Sequence, residues 1–280
     1  MAVSKRVRRV ARNTLLYAVL SALGVLFMLP LLWMLSTSIK PDSLIFVFPP
    51  VWVPRDPDWG HYPAAVAHVN FGVLLRNSVV ITCGNIALSL VSCSLVAYAF
   101  ARLRWPGRDA FFVVMLSTMM LPPEVTLVPI YIAFRQLGLI NTLWPLIIPA
   151  AFGSPFLIFL LRQFFLSIPA ELSDAAKIDG ANELRTLVSI VLPLSKPALM
   201  TVAIFQFTWR WNDFLLPLIY LTRNDLKTLA LGLQMFVADY GTDWGPLMAI
   251  SVMVLLPVLV LFFVAQEYFI EGVTLTGLNQ

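Results

Sequence analysis

Six apolar runs, at about 14–37, 79–101, 110–134, 143–165, 198–220 and 246–269, constrain this chain more than any other feature in it. Each suffices to cross a hydrocarbon core roughly 30 Å thick, which takes about 20 apolar residues of helix. Backbone in lipid has to satisfy its own hydrogen bonds, so runs of this kind fold as helices. The expected fold is therefore an all-α membrane protein with six transmembrane helices. The composition agrees: 59% of the residues are hydrophobic and 12% charged, whereas soluble domains carry about 25% charged residues.

The order of the runs divides the chain. Residues 1–13 form a basic segment with Lys5, Arg6, Arg8, Arg9 and Arg12. Residues 14–270 hold the six spans, and 271–280 are a short tail. A signal peptide has an apolar core of about 7–15 residues and a small-residue cleavage site. The first run is longer than that and is read as a retained span. Residues 40–72 carry Pro41, Pro49, Pro50, Pro54, Pro57 and Pro63 with Trp52 and Trp59, the pattern of an ordered external loop at an interface. His61 and His68 lie in it and are read as surface residues. The polar stretch 222–245 is a second external segment. Cys83 and Cys93 share one run. Ten residues of helix hold them about 15 Å apart, too far for a disulfide.

The net charge of +4 is no nucleic-acid signature, because the basic residues stand beside apolar runs. Six spans put both termini on one side. That side carries twelve of the 19 lysines and arginines, among them Arg102, Arg104, Arg108, Arg162, Lys177, Arg185 and Lys196. The opposite side carries Lys40, Arg55, Arg76, Arg135, Arg223 and Lys227. The basic side is cytoplasmic by the positive-inside rule, so both termini are expected there.

Ionisable groups inside spans are functional candidates by default, because lipid makes them costly. Glu124 falls where Pro122, Pro123 and Pro129 break the third run. The fifth run holds Gln206, Arg210, Asn212 and Asp213, and Arg210 and Asp213 are spaced to pair on one face. These five residues are the candidates for lining a path. A structural ion pair, and a bend that carries Glu124 to the interface, are the plain alternatives and stay open.

Between the fourth and fifth runs lies 167–197, SIPAELSDAAKIDGANELRTLVSIVLPLSKP, too elaborate for a simple reversal. Ile168-Pro169 marks a helix start, with Glu171 at its positive end. Leu172, Ala175 and Ala176 fall on one face. Gly180 suits a left-handed stop, and Asn182 can cap a second short helix. Two short helices meeting at a bend, one presenting small alanines, make a docking shape. A solvated helical linker would use the same residues.

The order Asp174-Ala175-Ala176, three residues, Gly180, nine residues, Ile190, one residue, Leu192-Pro193 resembles the EAA loop of ABC importer permeases. The wider IPAELSDAAKIDGA and LPLSKPAL, with YAFARLRWPGR and TWRWNDFLLPL, resemble the carbohydrate-uptake branch, on the second-permease side of the maltose-type pair. Asp174 stands where the family usually has Glu. The resemblance implies a type I ABC importer permease fold in a bacterial inner membrane. It implies coupling through Glu171, Asp174, Ala175, Ala176, Asp179 and Gly180. It also implies a second homologous permease, two copies of a cytoplasmic ATPase carrying the ATP and Mg, an extracytoplasmic solute-binding protein and a sugar substrate. This chain itself has no G-x-x-x-x-G-K-[ST] loop and no zinc or nucleophile motif, so it is expected to bind no cofactor or metal and to be no enzyme. The rival classes are a secondary transporter using Glu124 or Asp213, and a membrane-embedded enzyme using the same carboxylates.

Overall fold

The computed structural model describes residues 2–238 and 241–275. Residues 276–280 of the expected tail, and 239–240 of the second external stretch, lie outside the described residues. In chain order the helices are α1 (Ala2–Thr37), α2 (Asp42–Ile45), α3 (His61–Val69), α4 (Phe71–Arg102), α5 (Arg108–Ser117), α6 (Pro123–Gln136), α7 (Trp144–Ile147) and α8 (Pro155–Ser167). They continue with α9 (Ala170–Ile178), α10 (Glu183–Thr186), α11 (Leu192–Leu194), α12 (Lys196–Trp211), α13 (Leu215–Tyr220), α14 (Leu229–Gln234) and α15 (Trp244–Leu275). Among the described residues the one strand pairing is a short hairpin, Val237–Ala238 with Gly241–Thr242.

Four helical stretches are long and apolar enough to cross a membrane: Val10–Thr37, Phe71–Arg102, Trp144–Ser167 and Trp244–Gln266. Two bent pairs bring the number to as many as six. Arg108–Met120 meets Pro123–Gln136 at 97°, and Glu183–Leu194 meets Lys196–Trp211 at 82°.

Proline places most of these breaks. The residue before a proline is pushed out of the helical region by the ring. Leu121 (ψ 123°), Ser154 (ψ 127°) and Ile168 (ψ 131°) are each extended for this reason. Pro123 and Pro155 then start helices, where a missing N–H costs nothing. Pro193 cannot donate to the carbonyl four residues back, and the ladder just before it, Leu187–Val191, widens into a π-type turn. At the 82° bend, Ser195 is fully buried and its hydroxyl donates to Val191 O at 2.7 Å, satisfying an end-of-helix carbonyl.

The described residues form two compact units. The larger comprises residues 70–234 and 257–275. Its axis is α4, against which α8 and α12 pack. Ala97, Leu157, Leu161, Phe165, Val191 and Val202 make its central cluster, all but closed to solvent. Lipid is as apolar as these side chains, so close packing and polar ties hold such helices together rather than escape from water. The α4 helix supplies the ties. Asn77 Nδ2 donates to Asp225 O and Lys227 O, each at 3.0 Å. Asn85 Nδ2 donates to Leu146 O and Ser92 Oγ to Ala150 O, both at 2.8 Å. These acceptors belong to proline-rich or irregular backbone that cannot satisfy itself.

The smaller unit takes in residues up to 69 together with 235–256. His61, expected at the surface, is instead only 6% exposed. It opens α3 and faces its own loop: Nδ1 lies 3.3 Å from Ser38 O, and Nε2 lies 3.5 Å from Asp42 and 3.6 Å from Asp58. A Cβ on Gly245 would collide with this ring. Gly245→Val is therefore expected to destabilise the unit by about 1–3 kcal/mol, the usual cost of overpacking. A lowered melting temperature of the purified protein would register it, and Gly24→Val, at a site with open space and no left-handed backbone, would serve as the comparison. Lys40 is buried too, its ammonium 3.7 Å over the Trp33 ring. Desolvation lowers its pKa.

Candidate functional site

The segment 167–197 folds as a bent elbow. Helix α9 ends in a complete Schellman motif: Gly180 sits at φ +81°, Gly180 N–H donates to Lys177 O at 3.0 Å, and Ala181 N–H donates to Ala176 O at 2.9 Å. Two residues later Asn182 Oδ1 accepts from Arg185 N–H at 2.8 Å, the N-cap that starts α10. The chain thus stops one helix and starts another within four residues, with every local choice favouring the bend.

The elbow has an anchored side and an open side. Ile168 before it, and Leu187 and Val191 after it, are buried in the same cluster as Tyr98 and Phe165. Ser173 and Ala176 face inward. Glu171, Asp174, Ala175, Asp179 and Gly180 face out. Of the two alanines, then, Ala175 is presented and Ala176 is used to pack. Beside Ala175 the exposed surface is apolar: Leu172, Leu184, Val188 and Ile178, the last 87% exposed. An isoleucine this exposed at a helix end, together with three further exposed apolar side chains, forms the kind of apolar surface that marks an interaction site.

Sequence reasoning missed what ties this elbow to the spans. Tyr98, near the end of α4, donates its hydroxyl to Glu183 Oε2 at 2.6 Å. Lys177 Nζ reaches Glu183 Oε1 at 2.8 Å. Four residues beyond Tyr98, on the same face of α4, Arg102 donates to Phe165 O at 2.6 Å and also to Ile168 O. Those carbonyls end α8, where a cation is favoured by the helix dipole. A cleft of about 690 Å3 lies between these groups and α9, lined by Tyr98, Arg102, Ser173, Asp174, Lys177 and Glu183. The signal available in the sequence was the pair Tyr98 and Arg102, one helical turn apart at the end of an apolar run.

The intramembrane candidates divide. Glu124, in the first turn of α6, shares a cavity of about 280 Å3 with Arg210 and Asp213. Arg210 and Asp213 form the expected pair, Nη1 to Oδ2 at 3.3 Å, with side chains 23% and 16% exposed. Asp213 Oδ1 also accepts from Leu216 N–H at 3.2 Å, so this carboxylate helps start α13. The helix that carries Arg210 stops at Trp211, and a non-helical corner precedes α13. Gln206 and Asn212 are not brought to this cavity. Gln206 is buried and donates to Ser89 Oγ of α4. Asn212 is exposed, and its Nδ2 donates to Thr208 O at 2.9 Å, closing the end of α12. Among the described residues no cluster of His, Cys, Asp and Glu could hold a metal ion.

Comparison with known proteins gives the context of these features. The arabinooligosaccharides transport system permease protein AraQ of Halalkalibacterium halodurans is 40% identical to this chain, over 72% of each. The diacetylchitobiose uptake system permease protein DasC of Streptomyces coelicolor is 33% identical, over 92% of this chain and 93% of its own. Among solved structures, a chain of a bacterial ABC transporter involved in the import of the acidic polysaccharide alginate aligns with a TM-score of 0.83 at 26% identity. The alignment covers 92% of this chain and 96% of that one. The family described as "Binding-protein-dependent transport system inner membrane component" matches residues 91–274, which include the elbow, the cavity and the corner after Trp211. The chain belongs to that family: it is a multi-pass membrane permease of an ABC transporter, and the transport component rather than the ATPase.

Proposed function

We propose that this chain forms half of the path by which a sugar or sugar derivative enters a bacterial cell, and that its elbow couples the path to a separate ATPase. The other half is a second, homologous permease. Two copies of the ATPase, carrying ATP and Mg, sit below, and an extracytoplasmic solute-binding protein delivers the sugar from outside. The sugar assignment rests on the relatives, whose names specify arabinooligosaccharides and diacetylchitobiose. In this reading Glu171, Asp174, Ala175, Ala176, Asp179 and Gly180 build the surface that meets the ATPase. Ala176 acts from behind, packing the helix that the others present. Glu124, Arg210 and Asp213 line the path. Gln206 and Asn212 brace the helix beside it.

The observation that carries the reading is the elbow: a capped, two-helix bend anchored by its ends and apolar on its open side. A self-sufficient secondary transporter or a membrane enzyme has no use for such a surface. The excess of arginine and lysine on the terminal side supports six spans with both termini, and the elbow, in the cytoplasm. In a Cys83→Ser background, Ala175→Cys is expected to react with a membrane-impermeant maleimide in inverted vesicles and not in intact cells. The co-expressed ATPase should block that labelling. Labelling from outside intact cells, or labelling that the ATPase leaves unchanged, would reject the orientation or the coupling role respectively.

A further inference from the structure

Glu183 ties three elements together. Its Oε1 holds Lys177 of α9 at 2.8 Å, its Oε2 accepts from Tyr98 of α4 at 2.6 Å, and its own backbone begins α10. Lys177 and Glu183 stand on opposite sides of the Gly180 bend, so their bridge closes the angle between the two short helices. Behind α9 the space is open: the cleft of about 690 Å3 separates the elbow from the end of α4. Apolar packing joins the elbow to α4 at the elbow's ends, through Ile168, Leu187 and Val191, and not across this cleft. The polar chain from Lys177 through Glu183 to Tyr98 crosses that gap.

Tyr98 is placed to receive such a movement. It is buried, lies in the central cluster with Ala97, Leu157 and Leu161, and belongs to the helix against which α8 and α12 pack. The same helix bonds, through Asn85, to Leu146, and Leu146 lines the cavity that holds Glu124, Arg210 and Asp213. A displacement of Glu183 thus reaches the cavity wall through one rigid helix.

Resting on the coupling role proposed above, we infer that Tyr98, Glu183 and Lys177 form a positioning relay that converts a shift of α9 against the ATPase into a shift of α4. Tyr98 is buried, so its role separates from docking, whereas Lys177 and Glu183 are half exposed and link it to the elbow. Lys177 and Glu183 hold the bend, and the Tyr98 hydroxyl passes its movement on.

The test uses the whole complex, with both permeases, the ATPase and the binding protein, in membrane vesicles. A Cys83→Ser, Thr126→Cys chain reports on the cavity. The readouts are ATPase co-purification, ATP hydrolysis, and the change in maleimide labelling of position 126 on adding ATP with vanadate. These need no knowledge of the solute. Tyr98→Phe keeps the ring in the core and removes only the hydroxyl. It is expected to leave co-purification and hydrolysis within about twofold of the parent. The ATP-dependent labelling change should fall roughly tenfold, the size expected for one hydrogen bond to a charged group. Glu183→Ala should behave alike, and the exchange Lys177→Glu with Glu183→Lys, which restores a bridge and lets the new ammonium bond the Tyr98 oxygen, should recover most of the response. A parental labelling change in both Tyr98→Phe and Glu183→Ala would overturn the relay while leaving the coupling role intact. Loss of ATPase binding in Tyr98→Phe would overturn it too, since the residue would then shape the dock. A parent complex that holds no ATPase, or shows no ATP-dependent change, would remove the coupling role and the relay together.

Discussion

Gly180→Val is expected to reduce ATP-dependent solute uptake at least tenfold and to strip the ATPase from the purified complex. The reason is backbone geometry. Gly180 sits at φ +81°, where an L-residue costs about 1–2 kcal/mol and a β-branched one more. No atom lies within 4 Å of where its Cβ would stand, so no clash contributes. The cost is avoided only by undoing the Schellman turn, which re-aims α9 and carries Ala175 and Ile178 off their surface. Asparagine tolerates the left-handed region, so Gly180→Asn should keep most of the activity. Comparing the two variants by uptake and by ATPase co-purification isolates the bend angle from the side chain. Equal loss in both would show that the partner needs the bare glycine itself, and equal retention would show that the angle does not matter.

The second large effect is expected at Arg210. Its pair with Asp213 is mostly buried, and removing one member of such a pair typically costs about 3–5 kcal/mol, because the other charge is left without its partner. Arg210→Met should therefore reduce the amount of assembled permease in the membrane several-fold, measured by quantitative immunoblot of the complex. Removing both charges, in Arg210→Met with Asp213→Leu, is expected to restore assembly, since an apolar pair of similar bulk often replaces a buried ion pair at no cost. Uptake by the double variant separates the two meanings of these residues. Restored uptake would mark the pair as structural; restored assembly with lost uptake is the outcome expected if both side chains line the path.

The elbow was legible because its determinants are local. Gly180 as a stop and Asn182 as a cap each act within a few residues of themselves, and the structure uses both. The Arg210 and Asp213 pair was legible for the same reason, lying three residues apart. The proline breaks follow from a steric rule about one neighbour. What was not legible depends on distant partners. Glu183 and Tyr98 are 85 positions apart, and nothing in either segment names the other. The cavity joining Glu124 to Asp213 needs two broken helices to meet. His61 is buried by Gly245 and Ser38, from opposite ends of the sequence. The apolar runs hid their own faces as well: where lipid and protein core are both apolar, a helix shows no stripe to say which side packs inward. That is why the sequence offers Gln206 as a path candidate without showing its bond to Ser89 of α4.

The open side of the elbow also bears on how cells must make this protein. On the coupling role proposed above, Ile178, Leu184 and Val188 stay exposed until the ATPase covers them. A copy synthesised without its motor would present the kind of surface that quality-control proteases and chaperones grip. On that same proposal, balanced production of the subunits follows from the shape of one of them, because a surplus of this chain would leave its elbow uncovered.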